Sequence, residues 1–244
     1  MDIVIHIPHD GHIIPEDLER SIYVPRERID YYDREMSDIY LNYLQKDYLP
    51  FETISFPYSR LFVDVERFLE NEPMEEYGMG FCYKKAYDGM YIKIVDDEIL
   101  NRTKDYYIEH HKKLDNLASN LERPTLLIDL HSFNVKATKK ILLTKETQPE
   151  ICIGIDKKWC NDDILNIACE TFKEFGYEYD INYPYSGSIV PNSLLNCTDS
   201  LLQSIMIEIN RDCYIDKYGF LIPKEFIRLG RTLKKFCDSI QEYQ

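Results

Sequence analysis

Positive charge, histidine and long apolar stretches are all scarce in this chain of 244 residues. Lys and Arg number 29 against 43 Asp and Glu, a formal net charge of −14. An excess of that sign argues against a nucleic-acid backbone or an anionic membrane surface as the main partner. No apolar run approaches the ~18 residues that a membrane-spanning helix needs, and no basic segment followed by an apolar one opens the chain; a cytoplasmic protein is expected. Cys82, Cys152, Cys160, Cys169, Cys197, Cys213 and Cys237 form no C-x-x-C pair and are odd in number. That pattern fits reduced thiols and excludes a disulfide framework or a zinc–thiolate centre. No Pro/Gly/Ser-rich linker and no internal repeat interrupts the sequence, so a single domain over residues 1–244 is expected. The oligomeric state is not legible.

What is present is an alternation of strand and helix patterns. Ile3, Val4, Ile5 and Ile7 form a β-branched run stopped by Pro8. Met36, Ile39, Tyr40, Tyr43 and Leu44 recur at helical spacing across residues 30–45, and residues 51–56 then alternate as a strand. A helix is predicted over 97–118, a strand at the run TLLIDL, and another at 151–155. Asn161 caps a helix that Gly176 ends, residues 204–209 (SIMIEI) read as a buried strand, and Pro223 opens a last helix. Together these predict an α/β sandwich: a mixed, mostly parallel central sheet flanked by helices.

In such sheets ligands bind beyond the carboxyl ends of the strands, and the polar residues there are informative. Of six histidines, His6, His9 and His12 lie together at the end of the first apolar run. Alone, that cluster reads as an ordinary turn around Asp10-Gly11. However, TLLIDL also ends at His131, and SIMIEI contains Glu208 ahead of Asn210-Arg211. Two histidines and a carboxylate from separate strand ends are the composition of a catalytic zinc site, in which a fourth position is left for water. Asp129, on the same strand face as His131, could orient that imidazole. Arg60 and Arg67 flank the largely apolar stretch LFVDVE, which also carries Asp64 and Glu66, and suit a small anionic substrate, because guanidinium binds carboxylate bidentately. Asn182, Pro184 and the turn Ser186-Gly187-Ser188 form a loop whose backbone could approach a ligand closely.

The blocks IPHDGHIIP, SRLFVDVER, DLHSF, NYPYSGSIVP and IMIEINRDCYID, in that order, resemble those of the N-formylglutamate amidohydrolase family over nearly the whole chain. The resemblance implies a fold related to zinc carboxypeptidases and hydrolysis of N-formyl-L-glutamate to formate and glutamate, a step of histidine catabolism. It implies Zn2+, or another divalent metal, on His9 and His131, with Glu208 as general base. Asp33 is assigned as the third ligand, with His12 as its rival; Arg60, Arg67, Asn182, Gly187 and Arg211 are assigned to a small anionic N-acyl amino acid. Two departures fall near the expected pocket: Glu66 stands before Arg67 where the family usually has Asn, and the loop YSGS has one glycine where many members have two. A carboxypeptidase-like peptidase, another deacylase, or a non-catalytic binder of carboxylate or metal remain open alternatives.

Overall fold

The computed structural model describes residues 1–142, 147–197 and 199–243. Six strands of these residues form one sheet: β1 (Asp2–Ile7), β2 (Glu52–Ser55), β3 (Thr125–Phe133), β4 (Ile151–Gly154), β5 (Tyr179–Ile181) and β6 (Leu202–Asn210), in the order β2-β1-β3-β6-β4-β5. β2, β1, β3 and β6 run parallel; β4 is antiparallel to β6 and parallel to β5. The sheet is mixed and mostly parallel, as predicted.

Among the described residues six α-helices accompany it: α1 (Arg26–Met36), α2 (Leu41–Tyr48), α3 (Asp97–Ser119), α4 (Val135–Leu142), α5 (Asp162–Glu174) and α6 (Pro223–Glu242). Asp96 and Asn161 cap α3 and α5 by accepting from the N–H groups of Ile99 and Ile164. Because strand side chains alternate, one sheet face carries Ile3, Ile5, Ile7, Leu126, Ile128, Leu130, Ile205, Ile207 and Ile209, buried against α2, α5 and α6. The residues between them form the other face. At its amino-terminal end that face is apolar, with Val4, Leu127 and Leu202 packed on Leu114 of α3. Toward the carboxyl ends it turns polar, with His6, Asp129, His131 and Glu208 buried there. A buried polar face is costly unless its groups are paired or bind something.

One element differs from expectation. Residues 30–45 are two helices, α1 and α2, with Tyr40 in the left-handed region (φ 68°) between them. The helical spacing is real on both sides of the break, but tertiary contacts end α1. The buried Arg211 guanidinium donates to the carbonyls of Arg34, Glu35 and Ser37, and the Asp38 N–H donates to the His9 carbonyl. A cation at a helix C-terminus satisfies orphan carbonyls and opposes the helix dipole. The helix α4 and the three-residue strand β5 are too short for a periodic signal. All seven cysteines are free, and among the described residues no helix is long and apolar enough to cross a membrane.

Candidate active site

Strand register brings the chemistry together. Across β1 and β3, His6 lies opposite Asp129; across β3 and β6, His131 lies opposite Glu208. The loop after β1 returns His9 to the same place. It is held there because Gly11 passes so close to Phe56 and Pro57 that a Cβ would stand 2.3 Å from the Phe56 carbonyl oxygen. His9, His131 and Glu208 line one cavity of about 380 Å³, together with Arg60, Glu66, Arg67, Tyr83, Tyr185 and Arg211. A larger open groove of about 870 Å³ beside the amino-terminal ends of β1 and β3 has no histidine or cysteine in its walls.

Three side chains could hold a metal: ligand atoms of His9, Asp38 and His131 all lie within 4.8 Å of one another. Their remaining atoms are already engaged. His9 Nε2 bonds Asp64 Oδ1 at 2.9 Å, which leaves Nδ1 buried without a hydrogen-bond partner. His131 Nε2 bonds Asp129 Oδ1 at 3.0 Å, and its Nδ1 lies 3.5 Å from Asp38 Oδ2. Asp38 Oδ1 accepts from Ser132 N at 2.7 Å and from the Ser132 hydroxyl, while Oδ2 is buried and unpartnered. Each histidine thus turns one nitrogen to an outer carboxylate and the other inward, the arrangement that orients metal-binding imidazoles. Burial pushes the His9 imidazole down to about 4, with Arg60 adding to the effect, so it presents a neutral nitrogen at pH 7. Burial alone would also lower His131, but Asp129, Asp38 and Glu66 outweigh it and hold it well above the usual value. The surrounding carboxylates therefore favour positive charge at this point.

The expected third ligand, Asp33, lies outside this group. Its Oδ1 accepts from the hydroxyls of Ser37 and Ser59, and its Oδ2 pairs with His12 Nδ1 at 2.6 Å. His12 is no better placed, since Nε2 lies 3.4 Å from Asp10 Oδ1 and both nitrogens therefore face carboxylates. Hydrogen bonds to Asp10 and Asp33 push it up to about 10, so at neutral pH it is an imidazolium held between those two residues. Since that value exceeds the ordinary 6.5, the pair's contribution to stability is complete below about pH 6.5 and falls away as pH rises to about 10. His12→Ala should lower the melting temperature at pH 6 and leave it nearly unchanged above pH 10; an equal loss at both would show that the charge plays no part. With the side chain 47% exposed, screening keeps the effect small.

Glu208 is 8% exposed, and its Oε2 has no hydrogen-bond partner. Burial pushes its carboxyl up to about 7, with His131 opposing and Asp38 adding, a value suited to general-base work near neutrality. The arginines divide. Arg211, also in the cavity wall, donates to Ser132 Oγ and to four backbone carbonyls, so it caps α1 and ties it to β3. Arg60 grips Asp64 with Nε and Nη2 and donates to the Met36 carbonyl. Burial alone would raise Asp64, but Arg60, His9 and Arg67 hold it well below the carboxylate range. Arg67 is less committed: its Nε has no hydrogen-bond partner and lies 3.6 Å from Asp64 Oδ2. Asn182 and Gly187 do not reach the cavity wall. Asn182 Oδ1 accepts from the N–H groups of Ile155 and Gly187, tying down the loop whose Pro184, Tyr185 and Ser186 do.

Residues 1–215 match the N-formylglutamate amidohydrolase family. The chain belongs to that family. Its members are hydrolases, in keeping with the ordered blocks of the sequence. Among solved structures, the N-formylglutamate amidohydrolase of Ralstonia eutropha JMP134 is similar to this chain with a TM-score of 0.81 and 19% identity, over 99% of this chain and 93% of the other. A gene product of Agrobacterium tumefaciens is similar with a TM-score of 0.66 and 17% identity, over 98% and 92% of the two chains. At these identities the likeness concerns the fold. No curated protein matches.

Asp38 and Asp64 escaped the reading of the sequence, and His6 entered it only as part of the histidine cluster. Ser37-Asp38 is a turn-forming pair inside a helical pattern, and such a pair is the signal that would have exposed the break and its carboxylate.

Proposed function

We propose that this protein is a metal-dependent amidohydrolase that cleaves the acyl amide of a small N-acyl amino acid, with N-formyl-L-glutamate as the substrate favoured by family membership. The observation that carries this reading is the convergence of buried, unpartnered ligand atoms: His9 Nδ1 and Glu208 Oε2 belong to walls of one cavity, and Asp38 Oδ2 lies beside His9 and His131. Unpaired buried groups cost stability unless a ligand completes them. His9, Asp38 and His131 match a catalytic metal site in number and type, two imidazoles and a carboxylate with room for more. A divalent cation bound there would supply acidification of water and polarisation of the substrate carbonyl.

The chain's own groups then do the rest. Glu208 Oε2 accepts the proton of the attacking water and returns it to the departing amine nitrogen. Asp64 and Asp129 keep His9 and His131 in the tautomers that turn Nδ1 inward. Arg67 binds a substrate carboxylate, while Arg60, held by Asp64, adds positive charge to the wall. That local charge offsets the net −14 of the chain, which would otherwise repel an acidic substrate.

The test is a panel of N-formyl and N-acetyl amino acids given to the zinc-loaded protein, with release of acid measured before and after chelation. Hydrolysis of N-formylglutamate that chelation abolishes is expected. Failure to cleave any N-acyl amino acid would overturn the reading. In the same assay, Arg67→Met should raise KM for N-formylglutamate far more than for N-formylglutamine, since only the former loses a charge-assisted contact of about 1.5–3 kcal/mol. Equal losses would move the carboxylate contact elsewhere.

A further inference from the structure

We propose that a second divalent cation binds behind the first group, held by His6 Nδ1, Asp129 Oδ1 and Glu66 Oε1. This site goes beyond the proposed hydrolytic reaction and needs no part in it. Ligand atoms of these three residues lie within 4.8 Å of one another. His6 Nδ1 is 2.8 Å from Asp129 Oδ1 and 3.5 Å from Glu66 Oε1. A tetrahedral cation with bonds of about 2.1 Å separates its ligands by about 3.4 Å, so a cation fits with small side-chain movements.

Three further observations point the same way. Glu66 Oε1 is buried without a hydrogen-bond partner, a desolvated acceptor of the kind a bound cation would satisfy. His6 and Asp129 already have outer partners of the kind that orient metal ligands: His6 Nε2 meets His110 Nε2 at 2.9 Å, and Asp129 Oδ2 accepts from Ile189 N at 3.2 Å. Finally, two carboxyl groups, Glu66 and Asp129, are set around one imidazole, ligand types that a divalent ion draws together and binds more strongly where they are buried. The donor set suits Zn2+ and neighbouring first-row ions. Glu66 also lines the cavity and so offers a way in.

The register of β1 and β3 makes the site possible by setting His6 opposite Asp129. His6 ligates through Nδ1 when its one proton sits on Nε2 and is donated to His110. Asp129 Oδ1 has two lone pairs, so it can keep its 3.0 Å bond from His131 Nε2 while the other faces the cation. The competing arrangement has no cation: a proton links His6 to Asp129, and the chain from His110 through His6 and Asp129 to His131 only positions the last ring.

Counting equivalents separates the two. Metal-free protein is titrated with Zn2+ against a chromophoric chelator, and the product is desalted for elemental analysis. Two tight equivalents are expected in the unmodified protein, one in Glu66→Gln and one in Asp38→Ala. Glu66→Gln keeps the side chain's shape; His6→Asn serves as a second variant, also expected to bind one, with circular dichroism confirming the fold of each. A single equivalent in the unmodified protein, lost in Asp38→Ala and kept in Glu66→Gln, overturns the second site and leaves the hydrolytic reading intact. The converse pattern supports the second site and overturns the first. Two equivalents that persist in Glu66→Gln and His6→Asn also refute the proposal.

Discussion

In Glu208→Gln, turnover falls by about 10²- to 10⁴-fold, and further if the same group both accepts and returns the proton. The fold should survive, as should binding of a metal at His9, Asp38 and His131. The reason lies in the unpartnered Oε2: no hydrogen bond visible in the structure depends on it, so an amide of equal shape removes the proton acceptor and little else. Steady-state kinetics on an N-formyl amino acid, with melting temperature and metal content measured on the same preparation, provide the check. Near wild-type turnover would exclude Glu208 as the base. A large fall in melting temperature with turnover per folded molecule unchanged would instead assign it a structural part.

The second large effect distinguishes two aspartates five positions apart. Asp38→Ala should lose the metal associated with His9 and His131, because it deletes an inward-facing ligand atom and not an outer partner. The loss should exceed the roughly 10–100-fold drop in affinity that follows removal of an outer partner. Asp33→Ala should keep that metal and lose stability, since it strands the hydroxyls of Ser37 and Ser59 and the imidazolium of His12. Buried groups left unsatisfied cost about 1–3 kcal/mol each. Zinc content by elemental analysis and thermal unfolding of both variants provide the comparison. Metal lost from Asp33→Ala and retained in Asp38→Ala would restore the assignment made from the resemblance.

The two aspartates also show where reading the sequence stops. Asp33 and Asp38 both lie in a stretch whose apolar spacing continues as one helix, and helical periodicity gives no reason to break it at Ser37. The break is made by Arg211, 174 residues away, whose guanidinium takes the carbonyls that would have continued α1. The family resemblance assigns Arg211 to the substrate, as one of several arginines suited to an anionic ligand. Nothing local says that its donors are spent on backbone.

The histidine cluster at the first strand end behaves in the same way. Spacing puts His6, His9 and His12 within one short stretch, and the structure gives them three different fates. His6 points with the alternate face of β1 into the buried polar layer. His9 leaves the strand beyond Pro8 and reaches the cavity, and His12 lies partly exposed between Asp10 and Asp33. The period of two accounts for His6, but the path of the loop, set by the close passage of Gly11 over Phe56 and Pro57, decides the other two.

By itself the sequence determined the class of fold, because β-branched runs alternating with amphipathic stretches can bury their apolar faces only as a sheet covered by helices. It also determined that His9, His131 and Glu208 would meet, since parallel strands deliver their carboxyl ends to one edge. Tertiary structure alone decided which carboxylate joins them, which arginine stays available, and which groups are left without partners. Those outcomes depend on hydrogen bonds between residues far apart in the chain. Such bonds leave no local periodicity, because their geometry exists only once the strands are in register.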